Sequence, residues 1–281
     1  MTSKEKSEMN VSHEKMSGYS VGVFDCYTNA EYHAAEGVSK SDLDLIHRSP
    51  AHFKGAEREE TAAMKFGSAF HSAVLEPEHF VSQYYIVSGD RRTKAVKAEI
   101  QEAEAAGKTA LTKEEFDAIS EMQNSVFQSR IFPNIREGAV IEHSVFSEID
   151  GVRVKCRPDG WQMDKGILFD LKSTDDASPD GFARTCAKYR YHVQDAFYRN
   201  VVASLTGEDA DKFSFIFIAV EKKPPYAVAL YSLDELAKLQ GWVEAREDLR
   251  TYREAAETDT WRAYSPKIET LSLPRWAVAV E

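Results

Sequence analysis

The chain has 281 residues, of which 43% are hydrophobic, so it is long and apolar enough to bury a sizeable core. Its three cysteines, Cys26, Cys156 and Cys186, lie far apart. They exclude a zinc ribbon and an iron–sulfur cluster held by four cysteines of one chain, and they give no reason to expect disulfides. The net charge of −11 argues against a broadly basic surface for nucleic acid; a DNA-binding protein of this composition must gather its cations locally or use metal ions.

The first 20 residues are polar and charged, and they lack the apolar stretch of a secretory signal. The sequence also contains no apolar run long enough to span a bilayer. We therefore expect residues 1–20 to form a flexible tail and residues 21–281 to form one domain. A cytoplasmic protein without membrane contacts fits this composition best.

Helix signals dominate the first half of the chain. Ser39, with Asp42 three residues later, is a typical start for a short helix. Phe66, Phe70 and Val74 recur at i, i+4 and i+8, which predicts a longer helix with one apolar face.

Two more helices are predicted before the strands begin. An alanine- and glutamate-rich segment predicts a helix that ends at about Ala106. Thr112 and Glu115 form a capping box for the helix that follows.

Strand signals begin near residue 140. Apolar and polar residues alternate on both sides of Asp150-Gly151, which predicts a hairpin. Residues 166–174 are more continuously apolar, so we expect them to form a central strand.

Helices and strands alternate in the last third of the chain. Val193, Phe197 and Val201 mark the apolar stripe of a helix, which two strands around a Lys-Pro-Pro turn and a long amphipathic helix follow. We expect residues 270–277 to be an extended segment packed on the surface. This order of elements predicts an α/β fold with a mixed central β-sheet flanked by helices.

Two acidic residues and a lysine interrupt the apolar pattern of the strands. Asp159 is predicted to end one strand and Asp170 to lie near the end of the next, with residues 160–166 as a turn. Neighbouring strands are about 4.8 Å apart, so the two carboxylates can converge on one point. Two carboxylates that close repel each other, and a divalent cation such as Mg²⁺, which prefers oxygen ligands, removes the conflict.

Lys172 follows Asp170 by two residues, so both side chains lie on the same face of a strand. There the lysine can balance charge near a metal or orient a water molecule. The alternative is that both acids are solvated turn residues beside an ordinary lysine, because short patterns of this kind often match by chance.

Neighbouring residues favour the chemical interpretation. Pro158-Asp159 and Asp170-Leu171-Lys172 resemble the two halves of the PD-(D/E)xK nuclease motif, with Asp where many members have Glu. Gln194 and Tyr198 lie at i and i+4, which resembles the QxxxY element of the RecB and lambda-exonuclease branch. Such a pair can hydrogen-bond the DNA backbone or orient the lysine. Alternatively, the tyrosine packs in the core and the glutamine lies at the surface.

Nearly the whole chain after residue 20 resembles the C-terminal nuclease region of the RecE-type exonuclease VIII family of phages and prophages. The resemblance rests on landmarks that occur in one order: GVSKSDLD, FGSAFHSAVLEPEHF, CRPD, DLKST, YRYHVQDAFY and TLSLPRWA.

The resemblance implies a larger metal site. In the family, residues that match His71 and Glu142 belong to the metal site, and the position of Leu171 lends its backbone carbonyl. With Asp159 and Asp170, these groups would hold one or two Mg²⁺ ions, for which Mn²⁺ can substitute. Without the resemblance, His71 is interpreted as an exposed or satisfied histidine, and Glu142 as a glutamate on the solvent face of a strand.

Basic residues are candidates for phosphate contacts. Arg91 and Arg92 belong to a short run of charges, and Lys188 and Arg190 precede the helix that carries the Gln–Tyr pair. Arginine next to that helix can contact a phosphate through two donors. The alternative for the first pair is a solvated loop.

The resemblance implies a Mg²⁺-dependent 5′→3′ exodeoxyribonuclease that acts on linear double-stranded DNA, releases mononucleotides and leaves a 3′ single strand. Its catalytic residues would be Asp159, Asp170, Lys172, Glu142 and His71. Family members form ring-shaped homo-oligomers, so we expect a trimer or tetramer, and they work with a RecT-type annealing protein in recombination. Two alternatives stay open: a nuclease of the same fold that resects ends with another polarity, and a DNA-end-binding adaptor with a relic site.

Overall fold

The structure, a computed structural model, describes residues 11–12, 20–57, 61–87, 89, 92–274 and 277. Most of the predicted N-terminal tail and Arg91 lie outside the described residues. Among the described residues, no helix combines the length and the apolar character that crossing a membrane requires.

Helices occur along most of the chain. Their bounds are α1 Asn29–Ala34, α2 Lys40–Arg48, α3 Pro50–Lys54, α4 Ala62–Leu75, α5 Pro77–Gln83, α6 Lys94–Ala105, α7 Lys113–Gln128, α8 Phe132–Arg136, α9 Pro179–Lys188, α10 Tyr191–Thr206 and α11 Glu235–Thr258.

Strands are concentrated in the middle of the chain. Their bounds are β1 Val11–Ser12, β2 Gly22–Phe24, β3 Tyr84–Val87, β4 Thr109–Thr112, β5 Val140–Ile141, β6 Ser144–Ile149, β7 Val152–Cys156, β8 Gly160–Gln162, β9 Ile167–Thr174, β10 Ser214–Glu221 and β11 Val228–Tyr231.

The strands of the described residues form two larger sheets and one small pair. The first sheet has the order β1-β2-β6-β7, the second has the order β11-β10-β9-β8-β5, and β3 pairs with β4. Strand β9 is the middle strand of the second sheet, parallel to β10 and antiparallel to β8. The prediction of a mixed α/β fold flanked by helices is confirmed, and the predicted central strand is β9.

Strand β9 is buried on both faces, which explains its nearly continuous apolar sequence. On one face, Leu168 packs in a core that contains Val193 and Phe197 of α10. On the other face, Phe169 and Leu171 pack with residues of α4, α7 and α8. The second sheet therefore lies between two helical layers, and residues at its edge can be reached from both α4 and α10.

Several predicted helix starts are confirmed. Ser39 precedes α2, where its backbone N–H donates to Asp42 Oδ2 over 2.8 Å. Thr112 and Glu115 form the predicted capping box at the start of α7. These local hydrogen bonds satisfy N–H groups that have no partner within the helix.

Two predictions were wrong. Residues 270–277 were expected to be an extended segment packed on the surface. Residues 270–274 form neither helix nor strand, as expected, but Leu271 and Leu273 have relative exposures of 91% and 68% and so do not pack on the domain; residues 275–276 lie outside the described residues. Asp159 was expected to end a strand, yet β7 ends at Cys156 and Asp159 immediately precedes β8. The chain changes sheets between β7 and β8, so the predicted turn shrinks to residues 163–166.

Candidate metal centre

Asp159 lies where the chain passes from one sheet to the other. Gly160 pairs with Phe169 of β9, so the same antiparallel register, extended by one residue, places Asp159 opposite Asp170. Ile141 of β5 pairs with Gly160, and the next position brings Glu142 N within 3.2 Å of the Asp159 carbonyl oxygen. The backbone thus aligns three acidic residues across three neighbouring segments.

His71 completes a compact group of potential metal ligands. It projects from α4, and its Nδ1 lies 3.2 Å from Asp159 Oδ2. One ligand atom each from His71, Glu142 and Asp159 lies within 4.8 Å of the others. Glu142 has a φ of 53°, an uncommon left-handed conformation that redirects the chain at the end of β5. Asp170 is not part of this group.

The backbone of Leu171 reaches the same edge. Its N–H donates to Asp159 Oδ2 over 2.6 Å. Because the N–H and C=O of one strand residue point to the same side, the Leu171 carbonyl also faces that edge.

Asp170 lies next to this group, and its carboxylate faces α10. Only 4% of the residue is exposed. Gln194 Nε2 donates to Asp170 Oδ2 over 2.7 Å, and Lys172 Nζ lies 2.5 Å from Asp170 Oδ1. The Lys172 ammonium also lies 4.5 Å from the ring centroid of Tyr191. The carboxylate and the lysine therefore form a buried ion pair that two side chains of α10 position.

The charges in this site perturb one another. Burial alone would lower the pKa of His71, but the carboxylates of Asp159, Asp170 and Glu142 outweigh it and raise the pKa to about 9. Burial and the nearby Asp159 raise the pKa of Glu142 to about 8, against the opposing effect of His71 and Arg157. Without a metal, the site therefore holds protons near neutral pH.

The Asp170–Lys172 pair shows a similar balance. Burial and the charge of Asp159 raise the pKa of Asp170 above its usual value, although Lys172 and His71 oppose the change. For Lys172, burial would lower the pKa, yet Asp170 outweighs it and the pKa is raised. Lys172 is therefore a cation at neutral pH, so it acts as a charge and a hydrogen-bond donor.

A divalent cation fits this donor set. Two carboxylates and an imidazole lie within 4.8 Å of one another, and burial together with the charge of Asp159 raises the pKa of Glu142 to about 8. A cation of charge +2 would relieve the repulsion between the carboxylates and release the protons. Carboxylates suit Mg²⁺ and Mn²⁺, whereas the imidazole favours a first-row transition metal over Mg²⁺.

Arg157 supports the acidic group from the side. Its guanidinium donates to Ser144 Oγ through Nη2 over 2.6 Å and to the Tyr27 carbonyl over 2.8 Å. It also lies 4.5 Å from the ring centroid of Tyr32, and its charge lowers the pKa of Glu142. Sequence reasoning missed the contacts of Ser144 and Tyr32, because neither lies in a motif that indicates chemistry.

The residues predicted to bind DNA differ in burial and in their contacts. Gln194 is 5% exposed, and its amide nitrogen is engaged with Asp170. Tyr198 is half-buried, with its ring centroid 5.8 Å from that of Phe215. Tyr191 precedes Gln194 by three residues on the same helix face. That spacing was the available signal for its contact with Lys172.

The basic candidates also differ in their surroundings. Arg190 is 13% exposed, and its guanidinium contacts the carboxylates of Asp44, Glu244 and Asp248 at 3.1, 3.2 and 2.7 Å. These ion pairs connect Arg190, at the start of α10, to α2 and α11. Lys188 is exposed at the end of α9, and Arg92 is exposed before α6; Arg91 lies outside the described residues.

One family model matches most of the chain. Residues 39–274 match the family described as PDDEXK-like domain of unknown function (DUF3799). The chain belongs to this family. The matched region contains the whole metal-ligand group and the Asp170–Lys172 pair. No curated protein matches the chain.

Two solved structures are similar to this PDDEXK-like family member to different degrees. One from Eubacterium rectale, which carries the provisional name of an exonuclease, has a TM-score of 0.57 and 18% identity over 81% of this chain and 87% of its own. A phage-related exonuclease from Haemophilus somnus 129PT has a TM-score of 0.35 and 10% identity over 82% of this chain and 99% of its own. The first similarity supports the α/β fold.

Proposed function

We propose that the protein is a metal-dependent 5′→3′ exodeoxyribonuclease that degrades linear double-stranded DNA to mononucleotides and leaves a 3′ single strand. The observation that carries the proposal is the meeting of His71, Glu142 and Asp159 beside the buried Asp170–Lys172 pair. Membership of a PDDEXK-like family and the names of two structures with related folds support a nuclease. The polarity and the substrate come from the resemblance to RecE-type exonucleases.

The proposed metal ligands are His71, Glu142 and Asp159, with the Leu171 carbonyl at the same edge and Asp170 adjacent. When bound, a divalent cation would polarise the scissile phosphate and lower the pKa of an attacking water. We expect Mn²⁺ to support the reaction at least as well as Mg²⁺, because one of the ligands is an imidazole nitrogen.

Lys172 stabilises charge in this proposal. Its ammonium is cationic at neutral pH and is fixed by Asp170 at 2.5 Å. It can donate a hydrogen bond to a phosphate oxygen as negative charge develops there during attack by water. The hydrolysis breaks the bond between phosphorus and the 3′-oxygen, which leaves with a proton from solvent. Gln194 holds Asp170 in place, so the ion pair keeps its orientation.

The direct test is digestion of linear duplex labelled at either 5′ or 3′ end, with and without Mg²⁺ or Mn²⁺. We expect metal-dependent release of the 5′ label as mononucleotide, with closed circular duplex left intact. Early release of the 3′ label would instead favour a nuclease of the same fold with the other polarity. Digestion of closed circles would exclude an exonuclease that requires ends.

Replacement of Lys172 tests the catalytic role. We expect Lys172→Ala to reduce nucleotide release by about 100-fold or more while DNA binding is retained, because the lost charge acts in the transition state. Lys165→Ala is a suitable control, since this lysine lies in the turn between β8 and β9. If the protein binds DNA ends but Lys172→Ala matches the wild type in nucleotide release, a DNA-end-binding adaptor with a relic site is favoured.

We also propose that the protein acts as a ring-shaped trimer or tetramer with a RecT-type annealing partner. A ring accommodates the net charge of −11, because cations can line a channel while acidic residues face outwards. Light scattering after size-exclusion chromatography tests the assembly. A monomer at all concentrations would rule it out.

A further inference from the structure

An aromatic column runs from the second sheet to the surface beside Lys172. It begins at Phe217 of β10, the residue that pairs with Asp170 in the parallel register. The Tyr191 ring stacks on Phe217 with centroids 5.7 Å apart and planes 20° apart. The Tyr189 ring stacks on Tyr191 at 5.8 Å and 24°. The column therefore leads outwards from the proposed catalytic pair.

The outer ring of this column is open to solvent. Tyr189 is 50% exposed, whereas Phe217 is fully buried. Lys172 Nζ lies 4.5 Å from the ring centroid of Tyr191, and Tyr189 is the next ring outwards from Tyr191. A large exposed aromatic ring next to a proposed active site is a surface on which a flat ligand can stack.

The backbone at Arg190 makes the column possible. Arg190 has a φ of 53°, so the chain between α9 and α10 turns sharply and lets the rings on either side of it stack. This uncommon conformation is held by contacts of the guanidinium with Asp44, Glu244 and Asp248. This backbone conformation costs free energy, and ion pairs with carboxylates of α2 and α11 stabilise it. The same ion pairs hold the stacked rings of Tyr189 and Tyr191 in place.

Cations accompany the rings. Lys188 Nζ lies 5.1 Å from the centroid of Tyr189. Lys40 Nζ donates to the Tyr189 carbonyl over 2.7 Å and lies 5.9 Å from the centroid of Tyr191. An exposed aromatic ring with a lysine beside it matches the way proteins bind unpaired nucleotides: the base stacks on the ring and the phosphate contacts the cation.

We propose that Tyr189, supported by Tyr191, is a stacking platform for a nucleobase of the strand that is cut, next to the phosphate held at Lys172. This role rests on the proposed nuclease function and adds a contact to an unpaired base. Stacking is insensitive to base identity, because every base has an aromatic face, so the platform suits an enzyme that removes any nucleotide.

Binding in the absence of metal tests the platform separately from hydrolysis. The probe is a DNA duplex whose terminal 5′ nucleotide is unpaired and replaced by 2-aminopurine, titrated in the presence of EDTA. We expect the wild type to quench the fluorescence. Tyr189→Ala should bind about 10-fold more weakly and lose the quenching, whereas Tyr189→Phe should stay within about twofold of the wild type.

Steady-state digestion of the same duplex with Mn²⁺ gives a second readout. We expect Tyr189→Ala to raise KM about 10-fold with little change in kcat, because stacking acts equally in the ground state and the transition state. Tyr264→Ala is the matched control, since Tyr264 is 71% exposed on the C-terminal segment. Thermal melting of each variant shows whether it is folded.

The outcomes separate the two proposals. If the wild type digests DNA but a folded Tyr189→Ala binds, quenches and digests like it, the platform is wrong and the nuclease proposal stands. If the wild type binds and quenches with the expected dependence on Tyr189 but never hydrolyses DNA, the platform stands and the nuclease proposal fails. A wild type that neither binds nor digests DNA overturns both.

Discussion

At the scale of single residues, hydrogen bonds decide which carboxylate does what. Asp159 faces His71 and the Leu171 N–H, so it belongs to the ligand group. Asp170 faces Gln194 and Lys172, so it orients the lysine. The sequence motif identified both acids but could not distinguish their surroundings, because these depend on which helix, α4 or α10, contacts each carboxylate.

Gln194 illustrates the same limit. Its spacing from Tyr198 suggested either a contact with DNA or a role in orienting the lysine, and the structure places its amide on Asp170, the partner of Lys172. Helical spacing shows that two residues share a face, but not what that face contacts. The sheet packed under α10 determines that contact, and it forms only when distant segments of the chain meet.

Replacing the side-chain amide of Gln194 by a carboxyl group tests whether this residue positions Asp170. In Gln194→Glu, a second carboxyl group lies beside Asp170, so the pKa of Asp170, already raised by burial and by Asp159, should rise further. We expect kcat/KM to fall about 100-fold, since a misplaced ion pair is costly in the transition state. The acidic limb of the pH–rate profile should move to higher pH.

A matched change isolates this effect. Gln101 is exposed on α6, which carries none of the site residues, so Gln101→Glu adds the same carboxyl group without touching the site. We expect its pH–rate profile to equal that of the wild type. An unshifted profile for Gln194→Glu would mean that Gln194 does not position Asp170 during catalysis.

At the scale of elements, the site depends on a short strand that sequence patterns did not resolve. Helices α2, α4 and α7 were predictable because their caps and apolar stripes are local features. Strand β8 has three residues, and it was read as part of a turn. Its pairing with β9 and β5 depends on contacts distant in sequence, which no local pattern contains.

Gly160 shows how tightly β8 lies against β9. A Cβ atom at this position would lie 2.0 Å from the ring of Phe169. We expect Gly160→Ala to lower the free energy of unfolding by about 3 kcal/mol, since the strands must separate to admit the methyl group. Nuclease activity should fall as well, because the shift moves Asp159 away from Asp170.

Gly67 provides the comparison within the helix that carries His71. A Cβ there meets no atom within 4 Å, and its φ is ordinary, so Gly67→Ala should raise the free energy of unfolding by about 0.5–1 kcal/mol. Urea unfolding followed by circular dichroism measures both changes. Equal stability of Gly160→Ala and the wild type would contradict the register of β8 against β9.

At the scale of the whole molecule, the negative net charge of the chain and the expected binding of a metal are linked. The excess of negative charge raises the free-energy cost of gathering three of the acidic residues at one edge of a sheet. Arg190 and Lys172 offset buried carboxylates elsewhere in the fold. In the ligand group, the cationic form of His71 offsets the negative charge of the carboxylates. The charge of the group therefore depends on pH until a metal replaces the protons.

The pKa shifts give the direction of that dependence. The pKa of His71 is raised to about 9 in the folded protein, so its favourable contribution is fully present below about pH 6.5 and is lost as pH rises through 9. The pKa of Glu142 is raised to about 8, so the folded state binds more protons than the unfolded state between about pH 4.5 and 8. Both groups make the metal-free protein less stable as pH rises.

A bound divalent cation should reverse this trend, because its ligands must be deprotonated and its affinity therefore rises with pH. We expect the difference in Tm between protein with Mn²⁺ and protein with EDTA to grow from pH 6 to pH 9. At a metal concentration about 100 times the Kd, the stabilisation is about 2.7 kcal/mol. Glu142→Gln should flatten the pH dependence and reduce the effect of Mn²⁺, whereas Glu148→Gln, at an exposed position on β6, should leave both unchanged. If Mn²⁺ raises the Tm of Glu142→Gln as much as that of the wild type at pH 9, Glu142 is not a ligand, because a neutral amide binds the cation much more weakly than the carboxylate it replaces.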